Sequence, residues 1–135
     1  GPLANTVFKE PLPAICPPNE ASEEEVEPAF RFVSESPPVA RDFYSYGYLG
    51  KPKPTNIEEC TWWACSLFTR KEAALHIWKR VRRMQEERPY LAKIDIPAGS
   101  GQVKINTKSD HVDFWMYENY DPVSHVTNVE RLNNA

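Results

Sequence analysis

A helix with a marked start and a marked end constrains the fold more than any other feature of this sequence. Thr69 and Glu72 match a capping box, in which each side chain bonds a backbone N–H that the helix start leaves unpaired. Arg88 precedes Pro89, and a residue before proline is pushed out of helical geometry. The sequence therefore predicts one main helix over about residues 69–88.

Apolar residues in this helix recur at spacings of three and four, which places them on one face. They are Ala73, Ala74, Ile77, Trp78, Val81 and Met84. The opposite face carries Glu72, His76, Lys79 and Arg83. Because a helix of this kind has to bury its apolar face, we expect it to pack on a sheet.

Alternation of apolar and polar residues predicts strands on both sides of the helix. The predicted strands cover residues 29–33, 61–68, 90–96, 103–105 and 111–116, with a final strand or short helix within 123–132. Ten of the 13 prolines precede residue 55, so the chain begins with an irregular arm. We expect a tag remnant (Gly1-Pro2-Leu3) and a Pro/Glu-rich arm over residues 1–28. A single α+β domain with a mostly antiparallel sheet and one main helix then covers residues 29–135.

Charge and cysteine content narrow the functional classes. The net charge of −3 does not predict nucleic-acid binding, and the lack of a long apolar run predicts no membrane partner. Cys16, Cys60 and Cys65 have neither disulfide-framework nor zinc-ligand spacing. We therefore expect reduced thiols, no metal site and a cytoplasmic setting, with an exported protein that lacks disulfides as the alternative.

Three polar residues lie in an order that resembles a known family. Arg31 is on the first predicted strand, Ser66 is on the second, and Glu118 follows the strand over residues 111–116. This order resembles the ADP-ribosyltransferase-like fold of bacterial toxins and effectors. In that family an early strand carries Arg or His, a middle strand carries Ser-Thr-Ser, and a late Glu, Gln or Asp acts near the scissile bond. The resemblance implies that Arg31, Ser66 and Glu118 are catalytic.

The same resemblance implies NAD as the substrate. Cleavage of the nicotinamide–ribose bond builds positive charge on the sugar, and a nearby carboxylate stabilises that charge. Arginine binds a pyrophosphate through its planar fork. Expected cofactor-binding residues are Tyr46, Tyr48, Trp62 and Thr61. A domain of this kind acts in the cytoplasm or is delivered into a target cell as an effector, with a protein target or a cognate immunity or antitoxin partner.

The chain also resembles small uncharacterised bacterial proteins, through three short segments. These are Asp42-Phe43-Tyr44-Ser45, Ala64-Cys65-Ser66 and the segment from His111 to Trp115. This second resemblance implies no activity. Relative to the ADP-ribosyltransferase family, the chain has Ala64-Cys65-Ser66 in place of Ser-Thr-Ser and lacks a Glu-x-Glu pair.

Two other functions compete with NAD chemistry. A non-catalytic interaction module would expose the aromatic patch of residues 43–48 and have no polar cleft. A small ribonuclease would use His111 and His125 as acid and base on an RNA phosphodiester. The basic end of the predicted helix, over residues 79–88, is also compatible with RNA or an acidic protein as a ligand. The simpler interpretation is that these cations complement the helix dipole.

Overall fold

The computed structural model describes residues 7–133, which form one sheet of six strands. In chain order the strands are β1 (Val26–Val33), β2 (Cys65–Phe68), β3 (Tyr90–Ile96), β4 (Gly101–Asn106), β5 (His111–Met116) and β6 (Val126–Arg131). They lie in the order β4-β5-β2-β1-β3-β6, and each neighbouring pair is antiparallel. The prediction of a single α+β domain with a mostly antiparallel sheet is confirmed. The predicted tag remnant lies outside the described residues.

Short helices complete the described part of the chain. The α-helices are α1 (Glu59–Trp62), α2 (Lys71–Trp78) and α3 (Arg82–Glu87), and 3-10 helices span Ala40–Phe43 and Val123–His125. Within residues 7–133 no helix has the length and apolar character needed to cross a bilayer. The sheet is therefore the framework on which the other elements are placed.

The single helix predicted over residues 69–88 is two helices in the structure. α2 ends at Trp78, and α3 begins at Arg82. A continuous helix would bond the carbonyls of Trp78 and Lys79 to backbone N–H groups four residues further on. Both carbonyls instead accept the Gln85 side-chain amide, at 3.0 and 3.1 Å. Val81, which lies between the two helices, is 38% exposed.

The predicted capping box of Thr69 and Glu72 is wrong. The residue before α2 is Arg70, and it makes no side-chain capping bond. The Thr69 N–H donates to the Asp110 carbonyl at 2.8 Å. This bond ties the start of α2 to the turn that precedes β5, and so it brings the two elements together at one end of the sheet.

Each face of the sheet carries its own core. On one face, α2 and α3 bury Ala74 and Trp78 against a cluster that contains Phe32, Phe68, Leu91 and Leu132. The opposite face is built from the alternate strand positions, which include Val33, Leu67, Ile94, Val103, Val112 and Phe114. α2 packs on β1 and β2. The side chains of β5 on the helical face are therefore left at the edge of the helical layer.

The strand predicted over residues 61–68 begins later than expected. The chain forms α1 up to Trp62 and becomes a strand only at Cys65. The carbonyl of Cys60 in α1 accepts the Trp115 indole N–H at 3.0 Å, and Trp62 donates its indole N–H to the Lys51 carbonyl at 3.0 Å. These two indole hydrogen bonds therefore anchor the helical turn. The final segment contains both predicted alternatives, a 3-10 helix followed by β6.

The expectation of three reduced thiols is wrong. Cys16 and Cys60 form a disulfide, and Cys65 is the free, buried cysteine. The bond joins the irregular arm to α1. Two isolated bridges, Phe8 with Tyr117 and Ser22 with Val103, also hold the arm against the sheet. The arm is thus part of the domain, although it has almost no regular structure.

Candidate functional site

A cleft of about 690 Å³ lies between α2 and the neighbouring strands β1, β2 and β5. Its apolar wall includes Phe32, Phe68, Ile77 and Met84. Four cationic side chains line it, Arg31, Arg70, Arg88 and Lys108, against two carboxylates, Glu72 and Asp110. Ser66 and His111 lie in the same lining. The cleft therefore combines an apolar wall, a positive balance of charge and a hydroxyl–imidazole pair.

The register of β2 and β5 explains why the hydroxyl meets the imidazole. Ser66 is directly opposite Asp113, and Phe68 is directly opposite His111. Paired residues and residues two apart point to the same side of a sheet, so all four side chains share the helical face. The Ser66 Oγ lies 2.6 Å from His111 Nε2, and His111 Nδ1 lies 3.7 Å from an Asp113 carboxylate oxygen.

Burial shifts the pKa values of His111 and Asp113. Desolvation lowers the pKa of His111 below its usual 6.5, and the nearby Asp113 carboxylate offsets part of this shift. Desolvation raises the pKa of Asp113, against the opposing effects of His111 and Lys104. At neutral pH His111 is therefore the neutral imidazole. One of its ring nitrogens is a hydrogen-bond acceptor in that form.

Arg31 lies deep in the fold and holds three backbone segments together. Its Nε donates to the Asp42 carbonyl at 3.0 Å, its Nη1 to the Ser66 carbonyl at 2.9 Å, and its Nη2 to the Tyr44 carbonyl at 3.3 Å. Only 5% of its surface is exposed. Arg31 therefore fixes the backbone at Ser66 and forms part of the cleft floor.

A second guanidinium, that of Arg88, lies beside the first. It is placed 5.1 Å from the centre of the Tyr46 ring, and Tyr46 in turn packs on Trp62 with ring centres 4.8 Å apart. Desolvation and the positive charge of Arg31 lower the pKa of Arg88.

Acidic and basic residues alternate where α2 starts and β5 begins. Arg70 lies 3.7 Å from a Glu72 carboxylate oxygen and 3.8 Å from an Asp110 carboxylate oxygen. Asp110 occupies the turn before β5 with a positive φ of 62°. The turn therefore presents a carboxylate, next to His111, toward the same cleft.

The structure brings together some of the predicted site residues and separates others. Arg31, Ser66 and Tyr46 line the cleft. Glu118 lines a separate depression with Tyr117 and Tyr120. Glu118 is therefore not among the residues that line the cleft with Arg31 and Ser66.

The other predicted cofactor-binding residues lie around the cleft without lining it. Trp62 lines an adjoining groove of about 490 Å³, which shares Tyr46 and Arg88 with the cleft. Tyr48 lines a different depression, of about 190 Å³. Thr61 is half-buried in α1. Of the four aromatic and hydroxyl residues predicted to hold NAD, Tyr46 alone lines the cleft.

The geometry does not favour the two competing functions. His111 lines the cleft, whereas His125 lies in the depression with Glu118, so the histidine pair predicted for a ribonuclease does not meet. In the aromatic segment of residues 43–48, Phe43 is buried in the core and Tyr44 is half-buried. Tyr48 is 46% exposed. The continuous exposed aromatic patch predicted for an interaction module is therefore not present in this segment.

The sequence pattern predicts neither the approach of Asp113 to Ser66 nor the places of Asp110 and Arg88 in the cleft lining. One signal was available for Asp113, since His111 and Asp113 are two apart on a predicted strand and must share a face. Their approach to Ser66 depends on strand register, which the sequence does not specify. Among residues 7–133 no three His, Cys, Asp or Glu side chains are grouped so as to hold a metal ion.

Comparison of the chain with protein-family models, with curated proteins and with solved structures found no match. The chemistry of the cleft therefore follows from its own residues.

Proposed function

We propose that the cleft binds NAD and that the protein is an ADP-ribosyltransferase-like, NAD-using effector domain. The observation that carries this proposal is the convergence of Arg31, Ser66 and Asp110 on one cleft. These residues are far apart in the sequence. Ser66 and Asp110 supply a hydroxyl and a carboxylate for NAD cleavage, and Arg31 holds the backbone beneath them through its bonds to three carbonyls. Asp110 takes the role expected for Glu118.

The size and charge of the cleft support a dinucleotide ligand. Its volume of about 690 Å³ is within the range of small-molecule and cofactor sites, roughly 300–1,000 Å³. A pyrophosphate carries two negative charges, and Arg70, Arg88 and Lys108 provide positive charge on the lining. The Tyr46 and Phe68 rings offer surfaces on which a nicotinamide or adenine ring can pack.

Asp110 is the acid suited to the bond-breaking step. As the nicotinamide leaves, positive charge develops on the ribose, and a carboxylate near that charge stabilises the transition state more than the bound substrate. Ser66 orients the ribose or the acid, because its β-strand position and its bond to His111 limit its movement. Arg31 supports this arrangement by holding the Ser66 carbonyl.

The proposal extends to location and partners. Disulfides persist in oxidising compartments. The Cys16–Cys60 bond therefore favours an exported effector over a protein that stays in the cytoplasm. An effector of this class has a protein target, and in a toxin system it has a cognate immunity or antitoxin partner.

Calorimetric titration with NAD and chromatographic detection of released nicotinamide test the proposal. We expect NAD to bind, and we expect Asp110→Asn to slow nicotinamide release about 100-fold while changing the affinity by only a few-fold. Glu118→Gln is the matched control and should behave as the parent protein. An absence of NAD binding at millimolar concentration would contradict the proposal, as would loss of turnover in Glu118→Gln but not in Asp110→Asn.

A further inference from the structure

Ser66, His111 and Asp113 form a row of interacting side chains, and NAD binding does not require this row as a whole. Its Oγ is 2.6 Å from His111 Nε2, and the other ring nitrogen of His111 is 3.7 Å from an Asp113 carboxylate oxygen. A hydroxyl, an imidazole and a carboxylate in this sequence make a serine nucleophilic in unrelated folds. We propose that Ser66 is a nucleophile and that the cleft hydrolyses carboxylic esters that carry an anionic group.

The protonation state of His111 fits the task of a general base. Its pKa lies below 6.5 because the ring is desolvated, so the ring is neutral at pH 7. Asp113 is on the Nδ1 side of the ring, which favours the tautomer with the proton on Nδ1 and the lone pair on Nε2. That lone pair points at the Ser66 hydroxyl, 2.6 Å away. Asp113 acts through His111 and is a positioning residue.

The reaction needs only water as a co-reactant. The Ser66 Oγ attacks the ester carbonyl carbon, and the Oγ proton moves to His111 Nε2. The bond from the carbonyl carbon to the alcohol oxygen then breaks, and the alcohol leaves with the proton from Nε2. Water attacks the acyl-serine and gives a proton to Nε2. The carboxylic acid leaves, and Ser66 regains its proton from His111.

The lining of the cleft defines the substrate class. Negative charge develops on the carbonyl oxygen during attack, and four cations against two carboxylates favour that charge. The same balance attracts a substrate that is itself anionic. Phe32, Phe68 and Met84 form an apolar wall for the uncharged part of the ester. We therefore expect an anionic half-ester to react faster than a neutral acetate ester.

A second Ser–His pair in the chain provides a matched control. Ser124 Oγ lies 3.3 Å from His125 Nδ1, a longer separation than in the Ser66 pair. His125 Nδ1 also lies 2.8 Å from the Asp121 carbonyl, with which it shares a hydrogen bond. A nitrogen that donates to a carbonyl has no lone pair for a hydroxyl proton. Ser124 is therefore expected to be unreactive.

Labelling with a fluorophosphonate probe tests the nucleophile directly. We expect one probe molecule per protein, seen as a single addition by intact-mass spectrometry and located on the Ser66 peptide after digestion. Ser124→Ala should label as the parent protein does, and Ser66→Ala should not label. Mapping the label in the unaltered protein keeps the test valid even if Ser66→Ala fails to fold. Absence of label on the folded parent protein, or a label on any other residue, would overturn the proposal.

Variants of the other two residues separate catalysis from structure. We expect His111→Gln to label at least about 100-fold more slowly, with an unchanged melting temperature, and His125→Gln to label normally. Asp113→Asn should also slow labelling, and Asp113→Glu should restore part of the rate because it returns the carboxylate. Equal labelling rates in Asp113→Asn and Asp113→Glu would refute the positioning role.

Hydrolysis assays test the substrate class and separate this proposal from NAD chemistry. p-Nitrophenyl succinate should be cleaved faster than p-nitrophenyl acetate, and Lys108→Ala should reduce that preference. Neither ester assay contains NAD, so a failure to bind NAD leaves the result of these assays unchanged. Equal rates for the two esters would refute the anionic substrate class, and rates equal to the background would refute the activity.

Discussion

Replacement of Arg31 separates its structural role from any role in binding. The side chain donates to three backbone carbonyls at 2.9–3.3 Å and is 5% exposed. A hydrogen bond from a charged group contributes about 1.5–3 kcal/mol, so three contribute about 4.5–9 kcal/mol. That is a large part of a typical unfolding free energy of about 5–15 kcal/mol. We expect Arg31→Met to leave the protein largely unfolded.

A lysine at the same position should cause a smaller loss of unfolding free energy that can be measured. A single ammonium keeps the charge and reaches one of the three carbonyls, so Arg31→Lys should lower the unfolding free energy by about 3–6 kcal/mol. Urea unfolding followed by tryptophan fluorescence measures the loss. Arg41→Lys is the matched control because Arg41 is exposed on the neighbouring 3-10 helix. A loss no greater than that of Arg41→Lys would refute the structural role of Arg31.

Three further perturbations have defined outcomes. Replacing Cys16 and Cys60 with serine opens a loop with a sequence separation of 44 and should lower the unfolding free energy by up to about 4 kcal/mol, measured by urea unfolding. Because the folded pKa of His111 is below 6.5, the unfolded chain binds more protons there, so the unfolding free energy should fall as pH drops through about 6.5. His111→Gln should remove this pH dependence of the unfolding free energy. NMR titration of the parent protein should give the folded pKa of His111. Trp78→Ala, which empties a buried site, should cost about 3–5 kcal/mol by calorimetry, and Ile77→Ala should cost much less.

For each of these predictions, one outcome would contradict it. An unchanged midpoint for the double serine variant would show that the disulfide does not support the fold. A folded pKa at or above 6.5 would remove the neutral imidazole on which the chemistry of Ser66 depends. Equal losses for Trp78→Ala and Ile77→Ala would mean that α2 does not pack through Trp78.

Local sequence patterns predict most of the strands. β3 and β5 are found with the bounds that alternation gives, because one face of each is buried and the period of two is visible. The break between α2 and α3 is invisible to periodicity, since Val81 and Met84 continue the apolar spacing. At the break the Gln85 amide bonds two backbone carbonyls six and seven residues earlier, a local side-chain contact that helix periodicity does not encode.

The candidate site is less accessible to sequence reasoning because it depends on strand register. The predicted strand identifies Ser66, but the partners of Ser66 come from β5, which lies beside β2 only after the chain has folded. The late position of Glu118 in the sequence predicts a site role, but Glu118 follows β5 and lines a separate depression. The Cys16–Cys60 pairing is likewise a consequence of the arm folding back onto α1.

NAD titration followed by two-dimensional NMR is the most direct test of the central claim, that residues from three neighbouring strands form one binding cleft. We predict that the backbone amide signals of Ser66, Asp110 and His111 shift, while those of Glu118 and Asn119 stay in place. Shifts confined to the Glu118 segment, or no shifts at saturating NAD, would contradict the claim.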